Sequence, residues 1–179
     1  MRLCVAWLGL AWALLGAGSA LAQKAEDVER WRGWYREATS NENATSMVEN
    51  MTKDCGSCEE QAMSLGFLAV AQLMIADETW NPVDKFAQFS AWKPALESAI
   101  GRSPGNPDLV FLRLGVQTHV PALLDYSGNK NDDRLVVERA LSSGFWSSDA
   151  THAAFVRDFI TYLKSCLLYT SDAADDSLG

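Results

Sequence analysis

Histidine is scarce in this 179-residue chain, basic residues are thinly spread, and no long hydrophobic run follows the first 22 positions. The two histidines, His119 and His152, are far apart and lack ligand-spaced neighbours, so no metal centre is expected and surface or core roles are favoured. Lysine and arginine form no stripe apart from Arg30, Arg32 and Arg36, which sit within an acidic helical segment. With a formal net charge of -8, nucleic acid and anionic membrane surfaces are poor partners. Asp77 and Glu78 close the most apolar later segment, so no stable membrane insertion is expected from the body of the protein. No hairpin dipeptide with alternating flanks appears, which argues against an antiparallel sheet. No cofactor motif and no catalytic constellation stands out, so no catalytic residue and no cofactor are assigned.

What is present first is an export signal. Arg2 supplies the positive start, Val5 to Leu15 is unbroken apolar sequence, and Ala20-Leu21-Ala22 reads as A-x-A with cleavage before Gln23. The expected destination is periplasmic or secreted. Gln23 stands where a lipoprotein would carry its modified cysteine, and Cys4 leaves with the signal, so lipid anchoring is disfavoured. Loss of Arg2 takes the mature chain to -9. With 48% hydrophobic and 21% charged residues, the composition is that of a globular protein. The length remaining after cleavage suits one domain with a real core.

Helical periodicity runs through that domain. Val28, Trp31, Tyr35 and Ala38 fall on one face of a helix over 26–38, and Ala44, Met47, Val48 and Met51 on one face of the next. Ser57 and Glu60 have capping-box spacing ahead of an apolar helix running from Ala62 to Ile75, hydrophobic nearly all round and so the expected central helix. Gly66 within it permits close approach by a neighbour. Asn81-Pro82 and Asn106-Pro107 are twin start signals, an N-cap asparagine followed by proline at the first helical position. Pro94 is expected to kink the first of these helices. Further helices are expected over Asp132 to Ser142, closed by Gly144, and after Ser147 or Ser148, the last burying Phe155, Phe159, Ile160 and Leu163. The expectation is an all-α fold of six to seven helices in antiparallel hairpins. Ala95 to Asn106 resembles the end of one tetratricopeptide unit and the loop into the next, which implies a tetratricopeptide-like array.

Three groups of residues invite a chemical reading. Cys55-Gly56-Ser57-Cys58 would oxidise in an exported chain to a disulfide closing a very small loop. The functional alternative is thiol–disulfide exchange, but Asp54, Glu59 and Glu60 crowd the pair and oppose a thiolate, and no preceding strand is visible. Haem attachment is excluded because Glu59, not histidine, follows Cys58. Arg113 and Gln117 share one face of an otherwise apolar helix, so the guanidinium needs a partner. Glu97, Asp84 and Asp132 are the candidates, and the Tyr126 hydroxyl can join. Such a group either fixes helix packing or forms the polar floor of a groove. Among the tryptophans, Trp31, Trp34 and Trp92 read as core, while Trp80 and Trp146 sit beside loops and could line that groove. Asn43-Ala44-Thr45 and Asn50-Met51-Thr52 are glycosylation sequons, meaningful only in a eukaryotic secretory route.

Two resemblances complete the reading. Cys166 to Asp175, Cys-Leu-Leu-Tyr-Thr-Ser-Asp-Ala-Ala-Asp, is similar to the in-frame translation of a sequencing-library adaptor, so residues 166–179 are expected to be a non-native tail that packs poorly. Residues 23–165 then form a single helical domain of net charge -6. Within it, Asn106-Pro107-Asp108-Leu109-Val110-Phe111-Leu112-Arg113-Leu114, then Gln117, Pro121 and Leu124-Asp125-Tyr126, resembles uncharacterised exported proteins of Bacteroidota. The wider likeness spans roughly Leu65 to Leu163 and implies a helical fold and an envelope location, with no activity attached. The functional expectation is a module that binds a protein or peptide in a groove; an envelope enzyme of thiol–disulfide type at Cys55 and Cys58 is the alternative. Binding is favoured because it needs only a concave face, whereas catalysis needs motifs that are missing.

Overall fold

A computed structural model describes the backbone of residues 8–121 and 124–175, and side chains over 25–121 and 124–166. The described residues form seven α-helices and one short 3₁₀ turn, with no strand. The helices are α1 (Leu8–Asn41), α2 (Ala44–Cys55), α3 (Ala62–Glu78), α4 (Pro82–Arg102), α5 (Pro107–His119), α6 (Lys130–Ser143) and α7 (Ala150–Asp175). The 3₁₀ turn is Cys58–Glu60. The expected all-α class is the observed one. The side chains of the expected signal, 1–22, lie outside the described residues, as do those of the adaptor-like tail beyond Cys166.

Local chemistry sets most of the boundaries. Asn43, Asn81 and Asn106 each place a side-chain oxygen on a free amide of the following helix, at 3.2 Å from Ser46 N, 3.0 Å from Val83 N and 3.0 Å from Asp108 N. Gly144 ends α6 in the left-handed region at φ 74°, where its lack of a Cβ removes the steric penalty. The Ser57/Glu60 capping box does not form. Ser57 makes no side-chain cap, and the intervening residues tighten into the 3₁₀ turn, which moves the start of α3 to Ala62 behind Gln61. Disulfide pairing of Cys55 with Cys58 accounts for the shift, because a three-residue bridge leaves the chain no room to begin a regular helix at Ser57. Pro94 lies inside α4, and the helix continues on both sides of it. The carbonyl of Ser90 loses its amide partner there, and exposure of Ser90 lets water replace it.

The apolar α3 sits at the centre, packed by α1, α2, α4 and α5, and buries nearly every residue from Ser64 to Ala71. The short connection Thr79–Asn81 turns α4 back along it, and α5 and α6 form a second neighbouring pair. The first helix also touches the last, since α1 packs on α7. A linear array would keep its first and last helices apart, whereas among the described residues α1 and α7 are in contact. In α7 the inward stripe is Val156, Ile160 and Leu163; Phe155 and Phe159 are only partly buried, and Lys164 to Cys166 are exposed.

Helix α3 meets α5 closely at Gly66. A Cβ there would lie 2.3 Å from Leu109 Cδ2, and Leu109 is fully buried with no space to retreat. Gly66→Ala gains up to about 1 kcal/mol of helix propensity but overpacks this contact at about 1–3 kcal/mol. Net loss of stability is expected in urea unfolding, and combining it with Leu109→Val is expected to be less damaging than the sum of the two changes.

Candidate functional site

Two long-range features organise the molecule: a buried ionic cluster, and a cleft one turn further along. The cluster starts from the first turn of α5. Asp108, 3% exposed, receives Arg32 Nε at 2.9 Å and Arg32 Nη2 at 2.8 Å, and also the Trp146 indole N–H at 2.8 Å. Asp149, just ahead of α7, takes Arg36 Nη1 at 3.3 Å and accepts the His152 amide at 2.9 Å. Arg32, Asp108, Trp146 and His152 are all buried, so this bidentate pair is shielded from water and binds α1 to α5. Trp146 is 1% exposed and belongs to this core rather than to a groove wall. The position beside a loop suggested otherwise, but its N–H reaches inward to Asp108.

His152 is held among Phe111, Trp146 and Phe155, with neither ring nitrogen hydrogen-bonded within the described residues. Burial pushes its pKa down to about 4; Arg32 and Arg36 add to this, against the pull of Asp108 and Asp149. The ring is therefore neutral in the folded protein.

The cleft lies between the C-terminal ends of α1, α3 and α5 and the first half of α4, with a volume of about 430 Å³. Its apolar wall is built by Val70, Leu73, Met74, Phe89, Val116 and Leu124. The pairings of α1 with α5 advance in step: Arg32 with Asp108, Tyr35 with Phe111 at 6.1 Å between ring centres, then the Tyr35 hydroxyl against Gly115. The two helices thus run in the same direction, bridged by long side chains. One turn beyond Tyr35 the facing residues are Ala38 and Val116, too short to span the gap, and the cleft opens there. Gly115 is required, because a Cβ on it would sit 2.9 Å from the Tyr35 oxygen. Burial raises the Tyr35 phenol to about 12, so it stays protonated.

Polar groups ring the mouth: Thr39, Glu42, Asp77, Glu78, Lys85 and His119. Lys85 Nζ contacts Asp77 at 3.2 Å, and Glu78 accepts the Ala44 amide at 2.9 Å, tying the end of α3 to the start of α2. His119 Nδ1 lies 2.9 Å from the Gly115 carbonyl, an acceptor, so that nitrogen donates a proton to it.

The residues singled out in the sequence lie elsewhere. Arg113 makes a bidentate pair with Asp133, both contacts 2.7 Å, and reaches Glu97 at 3.0 Å. Asp133, not its neighbour Asp132, is the partner, while Asp84 is held by Asn81. Tyr126 donates to Glu97, and burial followed by Glu97 raises its pKa. The network joins α4, α5 and α6, and its members do not line the cleft. Gln117 is buried, with neither amide atom paired within the described residues. Cys55 and Cys58 are bonded to each other, Cα atoms 5.0 Å apart. Cys55 is the last residue of α2, so it occupies the negative end of a helix dipole rather than the positive end that favours a thiolate. Trp80 is 96% exposed and is not among the residues that line the cleft. The described residues contain no cluster of metal-ligating side chains, and none of their helices is long and apolar enough to cross a membrane.

No known protein family, curated protein or solved structure matches the chain.

The sequence hid the cleft because its wall comes from four helices and its space from small residues, which carry no motif. The ionic cluster left a faint trace: Arg32 and Arg36 border the Trp31/Tyr35 face, and a buried indole needs an acceptor.

Two outcomes follow from the buried charges. Unfolded histidine titrates near 6.5, so between about pH 6.5 and pH 4 the unfolded chain takes up a proton that folded His152 refuses. Stability is expected to fall across that window by roughly 3 kcal/mol from this residue, and His152→Phe should flatten the slope in urea titrations at successive pH values. Arg113→Met strands the buried Asp133 carboxylate and should cost about 3–5 kcal/mol by the same method.

Proposed function

We propose that this protein is an exported binding module that holds an apolar anchor of a peptide or protein partner in the cleft between α1, α3, α4 and α5. The observation that carries this is the cleft itself, a largely apolar recess with the buried Tyr35 in its lining and its carboxylates at exposed positions. Ligand sites have this composition, and roughly 300–1,000 Å³ is their usual size. The space accommodates one or two large side chains rather than a whole folded surface. Export rests on the Arg2 start, the Val5–Leu15 run and the Ala20-Leu21-Ala22 site, and places the partner in the periplasm or outside the cell. The same proposal groups the chain with the exported helical proteins of Bacteroidota that it resembles, takes 23–165 as the native domain, and sets nucleic acid aside because the domain is acidic.

Redox exchange at Cys55 and Cys58 gains no support from their placement at a helix C-terminus beside acidic residues.

The test is to fill the recess. Met74 lines the cleft and is partly exposed, so Met74→Trp occupies space without opening the core. Binding of a panel of short apolar peptides, followed by NMR shifts of Leu73, Val116 and Leu124, is expected to weaken at least about tenfold in this variant. Equal binding by both proteins would place the interaction elsewhere.

A further inference from the structure

Resting on the cleft as the binding site, we infer that its occupant is cationic: a peptide segment whose apolar anchor enters the recess and whose lysine or arginine lies at the rim. The rim carries three carboxylates, Glu42, Asp77 and Glu78, against one ammonium, Lys85. Helices α1, α3 and α5 end here, at Asn41, Glu78 and His119, and present the negative ends of their dipoles, while α2 and α4 start beside them and offset part of that sign, so the preference rests on the rim side chains.

Asp77 and Glu78 are placed against local preference, since acidic side chains in the last turn of a helix meet a dipole of like sign. Lys85 offsets Asp77, and the α2 amide of Ala44 offsets Glu78. Glu42 has no such partner among the described residues. It follows α1 in the left-handed region at φ 50°, where glycine would be unstrained, and holds its carboxylate at the mouth of the cleft. An anionic guest would face this charge in a partly desolvated recess, whereas a cation would complete it.

Three aromatic probes of near-equal size separate the possibilities: 4-phenylbutylamine, 4-phenylbutanol and 4-phenylbutyrate, titrated into the whole protein and followed by NMR shifts of the cleft residues. The amine is expected to bind at least about tenfold more tightly than the acid, with the alcohol between them, and the difference should shrink at high salt. Two variants move the amine in opposite directions. Glu42→Gly removes a rim charge while relieving the positive φ, so it should melt no lower than the parent yet bind the amine several-fold more weakly. Lys85→Ala frees Asp77 and should bind it several-fold more tightly. Equal affinity for amine, alcohol and acid would overturn the charge preference while leaving the apolar cleft as a binding site. Failure of all three probes to shift cleft resonances would overturn both.

Discussion

The structure depends on one buried ion pair, Arg32 with Asp108. With Tyr35 packed on Phe111, it is a contact through which the first long helix is seated on α5, and the spacing they set is what leaves a recess one turn further on. A buried guanidinium and carboxylate are costly to desolvate, and they break even only when the geometry is good and the remaining lone pairs are used. Here both conditions hold. The pair is bidentate, Trp146 fills another acceptor site on Asp108, and Arg36 with Asp149 extends the pattern toward α7. A purely apolar contact would tolerate sliding of α1 along its axis; a bidentate pair with a third fixed donor does not.

Around that constraint, the aromatic side chains provide the cohesion. Phe111 meets Tyr35, Trp146, His152, Phe155 and Phe159 edge-on, at 5.5–6.4 Å between ring centres, so one residue of α5 collects α1, α7 and the loop between α6 and α7. On the opposite side of the domain the Arg113 network does the equivalent for α4, α5 and α6. Helix α5 therefore carries a charged residue at each of two positions, Asp108 and Arg113, that meets an opposite charge from a different helix. The cleft borders both regions: Tyr35 of the aromatic cluster lines it, and Phe89 of its wall packs on Tyr126 of the Arg113 network.

Much of the fold could be read from the residues, and the reasons are local. Asn81-Pro82 and Asn106-Pro107 specify helix starts with little help from tertiary contacts, and the stripe Trp31, Tyr35, Ala38 is an amphipathic face that must be buried. Where a covalent constraint intervened, at Cys55–Cys58, the local rule gave way and Ser57 did not cap. Phe86 lies alongside α3, between the Lys85–Asp77 and Gln88–Gln72 contacts, yet stands 57% exposed. The site was less legible. Arg113 and Gln117 stand out as polar residues on an apolar helix, and of the three candidate partners for Arg113 only Glu97 contacts it; its other partner, Asp133, was decided by tertiary packing. A cleft made by Ala38, Gly115 and Val116 being small is visible only once the helices are placed.

The most direct test of the central claim is a double-mutant cycle across the ion pair, with Arg32→Met, Asp108→Leu and the combined variant compared in urea unfolding. If the pair seats α1, each single change strands a buried charge, and the double variant should be at least about 2 kcal/mol more stable than the sum of the single losses implies. Strict additivity would show that the two residues act independently, and the account of how α1 is held would be wrong.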